Sequence, residues 1–102
     1  MRMRSSWYLL VSIAFFLNSG VRAADTQNGA RLYAQYCLSC HGVNGRGSVA
    51  GVPDFSRSNA LFASDGTLFG SIRAGRGAMP GFLDILRERD LFDVIAYLRT
   101  LN

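Results

Sequence analysis

The chain has 102 residues, 49% of them apolar, with 11 basic side chains against 7 acids and a formal net charge of +4. That length allows one domain at most. Three arginines (Arg2, Arg4, Arg22) fall ahead of residue 24, so the remainder carries eight arginines, no lysine and seven carboxylates, a net +1. Nothing in that balance points to nucleic acid or an acidic membrane surface as a partner.

Met1-Arg2-Met3-Arg4 is a basic start, residues 7–17 are an almost uninterrupted apolar run, and Asn18-Ser19-Gly20 breaks it. Val21-Arg22-Ala23 then offers small residues at the two positions a signal peptidase reads. The pattern predicts a secretory signal peptide over residues 1–23, cut after Ala23, and a mature domain over 24–102 in the periplasm. A retained membrane tether is the alternative. A spanning helix needs roughly 20 apolar residues, and this run is about half that, so no stable membrane insertion is expected after cleavage.

Asp25 or Thr26 can cap a first helix running to about Cys40, with Gly29, Ala30, Tyr33, Tyr36 and Cys37 on one apolar face. Gly29 inside that helix suggests close approach by another backbone, or a frayed first turn. The helix delivers Cys37-Leu38-Ser39-Cys40-His41. On one helical turn, positions i, i+3 and i+4 share a face, so both thiols and the imidazole point the same way.

Two thiols two residues apart, followed at once by histidine, read as an attachment site for c-type haem. A thioredoxin-like dithiol, half a zinc site and a plain disulfide are the competing readings. A structural zinc site takes four ligands, whereas Cys and His together number three in this chain. A thioredoxin motif needs a feeding strand, and no alternating segment of strand length occurs. Export would favour a disulfide. However, a mature chain this short barely supports an apolar core, and a large flat cofactor would supply the missing interior. The apoprotein is accordingly expected to be largely unfolded.

Residues 42–51 hold four glycines in ten and form a loop, with a turn at Asn44-Gly45. Val52-Pro53-Asp54-Phe55 closes it, and residues 56–63 give no clear pattern. Ser64 or Asp65 can cap a helix through about Ala74, with Leu68, Phe69 and Ile72 on its buried side and Gly75 ending it in the left-handed conformation. Residues 73–81 are a second glycine-rich loop. The last helix starts between Arg87 and Asp90: Leu91, Val94, Ile95, Leu98 and Leu101 make its apolar face, while Arg89, Asp93 and Arg99 take the opposite side. The fold class is all-α.

His41 is the sole histidine, and Met79 is the sole methionine after residue 23. A lone methionine is more often a core filler. This one sits in an irregular Gly-Ala-Met-Pro-Gly loop where packing gains little, which favours an axial thioether. A nitrogen and sulfur pair on iron leaves no open coordination position, so the centre suits passing single electrons. The residues thus describe a carrier rather than an enzyme.

As an ordered set these motifs resemble the small bacterial class I cytochromes c: Gly29 and Tyr33, then Cys37 to Gly42, Pro53 and Phe55, Gly77-Ala78-Met79-Pro80-Gly81-Phe82, and Val94-Ile95-Ala96-Tyr97-Leu98. The resemblance implies three to four helices around one haem c held by Cys37 and Cys40, with His41 and Met79 on the iron. It also implies that the first and last helices cross at Gly29, near Tyr33 and Tyr97. The Pro53 carbonyl would accept a hydrogen bond from the His41 ring, the contact that commonly orients a metal-bound imidazole. Phe55, Leu68, Ile72 and Phe82 would line the pocket, each being equally readable as ordinary core.

Such a protein would exchange electrons with periplasmic donor and acceptor proteins. The alternative is a dedicated subunit of a periplasmic dehydrogenase or reductase complex, and a third reading is a haem protein with open iron. The chain departs from the relatives' pattern in having Arg87 where Ser or Thr often precedes the last helix, so that helix is expected to be poorly capped or to begin at Asp84. Arg46, Arg57 and Arg76 are candidate partners of the haem propionates, or simply solvated surface.

Overall fold

A computed structural model describes residues 23–57 and 61–102. The signal-peptide expectation rests on residues 1–22, which lie outside the described residues. Asp25 is extended (φ −94°, ψ 101°), and its carboxylate accepts from the Gln27 and Asn28 N–H groups at 3.0 and 3.1 Å, which starts α1, Thr26–Tyr36. The helix does not continue to Cys40 as the spacing suggested. Cys37 swings to φ −117°, and a separate short helix, α2 (Leu38–His41), follows. The Cys37 N–H still bonds back to the Tyr33 carbonyl at 2.9 Å, while the Cys40 and His41 N–H groups both turn onto the Cys37 carbonyl at 3.3 and 2.9 Å. One ladder therefore closes at Cys37 and another opens there.

A single 3₁₀ turn, Val43–Gly45, places Asn44 at φ 57°, the left-handed region an asparagine tolerates. Ser64 caps α3, Asp65–Ala74, by accepting from the Thr67 N–H at 3.2 Å. Gly75 ends that helix with the positive φ expected of it, 82°, but at ψ 166° it is extended rather than left-handed helical. α4, Glu88–Leu98, begins inside the expected window, with Arg87 rather than Asp84 at the cap. A guanidinium cannot accept a hydrogen bond. The junction is held instead by Asp90, whose Oδ2 accepts from the Arg87 N–H at 3.4 Å and its Nε at 3.3 Å.

The helices pack because their apolar stripes meet. Leu32 and Tyr33 of α1 bury against Leu91, Val94, Ile95 and Leu98 of α4, and Leu61, Ile72, Phe82 and Leu86 complete the core. At the crossing the two backbones nearly touch: a Cβ on Gly29 would lie 2.0 Å from the Asp93 carbonyl oxygen. The Tyr33 and Tyr97 rings meet beside it, with centroids 5.2 Å apart. The close-approach reading of Gly29 therefore holds, and the frayed turn does not. Among the described residues there are four α-helices and no strand, as expected.

Asp93 corrects the sequence reading. Placed on the solvated face by periodicity, it is 2% exposed. Its carboxylate accepts from the Asp25 N–H and the Asn28 side-chain amide, both at 2.8 Å, and so binds the start of α1. Both oxygens face donors at the positive end of a helix dipole, which offsets the cost of burial.

Alanine at position 29 would gain about 1 kcal/mol of helix propensity, while a carbon forced against backbone costs roughly 1–3 kcal/mol or more. The clash wins because neither helix can yield without unseating the other. Gly29→Ala is expected to lower the denaturation midpoint of the haem-loaded protein, as read by loss of far-ultraviolet ellipticity.

Candidate haem site

The short α2 turn is held from three sides. The Gly47 N–H donates to the His41 carbonyl at 2.6 Å, and the Ser48 N–H donates to the Cys40 carbonyl at 2.9 Å. The buried Tyr33 hydroxyl donates to the Gly42 carbonyl at 2.6 Å, and burial pushes that phenol up to about 12. The loop after the motif thus folds back to satisfy the carbonyls that the short helix leaves over. Cys37, Cys40 and His41 are fixed as a unit.

These three side chains open onto a cavity of about 700 Å³. Volumes of about 300–1,000 Å³ are usual for cofactor pockets. Pro53 and Phe55 form another part of its wall, Leu68 and Ile72 of α3 a third, Met79 and Phe82 a fourth, and Val94 and Leu98 of α4 its floor. All six residues singled out for cofactor or iron binding line this one space. Of the three arginines considered, Arg76 alone reaches it. Arg57 instead pairs with Asp54 at 3.6 Å. The Asp54 carboxyl is held below its usual range, first by the Ser56 hydroxyl at 2.5 Å.

His41 is half-buried, and its ring stacks on Phe55 with centroids 4.9 Å apart and planes 20° from parallel. Burial lowers its basicity. Its Nδ1 is buried with no hydrogen-bond partner among the described residues. The contact with the Pro53 carbonyl implied by the resemblance is therefore absent, and Phe55 rather than Pro53 orients the ring. Leaving a buried nitrogen unpaired costs about 1–3 kcal/mol, an imidazole arrangement that protein groups alone do not complete.

Cys37 is partly buried, Cys40 is exposed, and neither is in a disulfide. Burial pushes the Cys37 thiol up to about 11, so almost none is thiolate at neutral pH. A redox-active dithiol needs the opposite shift.

Met79 is placed by main chain. Its N–H donates to the Arg76 carbonyl at 2.9 Å, and its carbonyl accepts from the Arg76 N–H at 3.1 Å. A Cβ on Gly75 would come within 2.7 Å of the Met79 carbonyl oxygen, so only glycine lets α3 end this close to the loop. The Phe82 N–H then docks onto the Ile72 and Arg73 carbonyls, both at 3.1 Å.

No cluster of three His, Cys, Asp or Glu side chains suited to a bare metal ion occurs among the described residues. Two thiols, an imidazole with an orphan nitrogen, a thioether, apolar walls and one arginine fit a haem c instead. Sequence reasoning missed Leu61 and Ala63, which also line the cavity, and Arg99, which bonds their carbonyls. Backbone acceptors leave no signature in a sequence, so nothing pointed to that contact.

Residues 24–98 match the sequence family described as cytochrome c oxidase, cbb3-type, subunit III. The chain belongs to this cytochrome c family. It is similar to cytochrome c6 of Nostoc sp., at 28% identity over 88% of this chain and 86% of the relative. Cytochrome c6 of Thermostichus vulcanus is 30% identical, over 86% and 82%. The cbb3-type cytochrome c oxidase subunit CcoP of Azospirillum brasilense is 33% identical over 78% of this chain, which spans only 30% of that relative. The cytochrome therefore has the cytochrome c fold, carries one covalently bound haem c, and transfers electrons.

Tyr33→Phe removes a buried donor and leaves the Gly42 carbonyl beside the motif with only its longer bond, from the Gly45 N–H at 3.2 Å. The cytochrome is expected to lose on the order of 1–2 kcal/mol of stability, measured by denaturant titration of the haem-loaded form.

Proposed function

We propose that the cytochrome is an exported monohaem carrier that passes single electrons between a donor and an acceptor protein, with haem attached through Cys37 and Cys40 and the iron held by His41 and Met79. The observation that supports this most strongly is that both thiols, the lone histidine and the lone mature-chain methionine line the same apolar cavity. Haem c, when bound, supplies a ferric/ferrous couple, and a thioether ligand raises its potential relative to two nitrogen donors.

The protein's share is to hold these donors still and dry. Phe55 fixes the plane of the imidazole, and the paired main-chain bonds of Arg76 and Met79 fix the thioether. Leu68, Ile72, Phe82, Val94 and Leu98 exclude water, which keeps reorganisation on electron transfer small. Arg76, which lines the cavity, would offer a propionate carboxylate a bidentate guanidinium fork.

Export follows from reading residues 1–23 as a cleaved signal peptide. No helix among the described residues is long and apolar enough to cross a membrane. A tethered form is the alternative if the N-terminal segment is retained. A second functional reading, a subunit or domain working within a larger oxidase, draws support from the family description and the likeness to CcoP. Fractionation of native cells separates the two: a free carrier is recovered alone in the fraction released without detergent, and a subunit comes away with its oxidase from the membranes.

Met79→Ala is expected to leave haem attached, lower the potential, abolish the sulfur-to-iron band of the ferric spectrum and let the ferrous form bind carbon monoxide. An unchanged potential removes Met79 from the iron. Cys40→Ser is expected to leave one thioether, shifting the reduced α-band to the red; an unaltered two-thioether spectrum overturns the attachment assignment.

A further inference from the structure

Arg99 was read as part of a solvated face, yet it makes more side-chain hydrogen bonds than any other described residue. It stands one position beyond Leu98, at the C-terminal cap of α4. Its guanidinium donates to the Leu61 carbonyl through one terminal nitrogen and to the Ala63 carbonyl through the other, at 2.7 Å. It also grips the Asp65 carboxylate at 2.9 and 3.2 Å. The three acceptors lie in the stretch before α3 and at its first residue, 34 to 38 residues away in sequence.

That stretch is cavity wall. Leu61, 4% exposed, and Ala63 both line the haem cavity, next to Leu98 on the helix that carries Arg99. Ser64 caps α3, which brings Leu68 and Ile72 to the same cavity. Leu61 has 3₁₀ geometry, and residues 62–64 run irregularly from it into α3. Phe62 is 79% exposed and anchors nothing. Among the described residues, the side-chain hydrogen bonds that tie residues 61–65 to anything beyond α3 are those to Arg99.

We infer that Arg99 is a positioning residue for the haem: its guanidinium pins the Leu61 to Asp65 segment to α4 and keeps that wall closed against water and small ligands. The inference deepens the function proposed above, since it presumes a haem in this cavity whose iron is fully ligated. Arginine is suited to the task because its planar fork reaches two carbonyls and a carboxylate at once, whereas a lysine offers one compact ammonium. Held shut, the wall preserves the weak thioether bond by denying competitors entry. Released, it opens as a local unit without global unfolding.

The test measures imidazole binding to the ferric, haem-loaded cytochrome, under conditions where each variant is fully folded by circular dichroism. Arg99→Ala is expected to bind imidazole roughly tenfold faster or more, as charge-assisted bonds to the wall are lost. Arg99→Lys should fall between Ala and wild type. Asp90→Ala serves as a control, because it loosens the α1 and α4 junctions through Asn28 and Arg87, away from the wall. If the wild-type rate persists in Arg99→Ala, or if Asp90→Ala accelerates binding equally, Arg99 contributes only general stability and the inference fails. Failure of the underlying function is seen separately, in the wild type itself: it would lack haem or the sulfur-to-iron band before any variant is made.

Discussion

The contact between the backbones of α1 and α4 is the constraint from which the remaining geometry follows. With a 2.0 Å approach to any Cβ at Gly29, the separation and crossing of these helices are set by main-chain atoms rather than by adjustable side chains. Tyr33, one turn further along α1, is thereby placed to reach over the motif and bond the Gly42 carbonyl. Leu98, at the far end of α4, is placed on the cavity. The buried Asp93 carboxylate reinforces the joint by binding the amide that begins α1. One close approach thus aligns the turn that carries Cys37, Cys40 and His41 with the opposite wall.

Around that joint the site is assembled from loops whose shapes are dictated by main-chain hydrogen bonds. The α2 turn is closed by amides of Gly47 and Ser48, and the methionine loop is closed by a reciprocal pair with Arg76. Side chains then face inward from segments that have little regular structure of their own. This division suits a small protein: helices supply rigidity, and glycine-rich loops supply close approach to a flat cofactor.

How much could be read in advance follows from what sequence encodes. That Cys37, Cys40 and His41 would share one wall of a cavity was legible because their fixed local spacing keeps the three side chains together, and Met79 stood out because no other methionine follows residue 23. The apolar stripe of α4 and the capping serine of α3 were legible because period and cap chemistry are local. Asp93 was misplaced since periodicity distinguishes faces but not a polar residue that finds donors across a helix crossing. The break at Cys37 was missed because helix propensity does not report where one hydrogen-bond ladder yields to another. The His41 to Pro53 contact, taken from resemblance, gave way to stacking on Phe55, an interaction that no spacing rule anticipates. Arg99 escaped notice because two of its three partners are carbonyls.

The reciprocal bonds of the methionine loop carry a consequence for divergence. They involve no side-chain atom, and the Ala78 side chain between them is exposed. Replacing that residue alters what an approaching protein touches at the cavity rim while the main-chain pair that positions residue 79 is kept. The surface met at this rim is therefore free to diverge while the loop behind it keeps its shape, so one scaffold can change its clientele without rebuilding its frame.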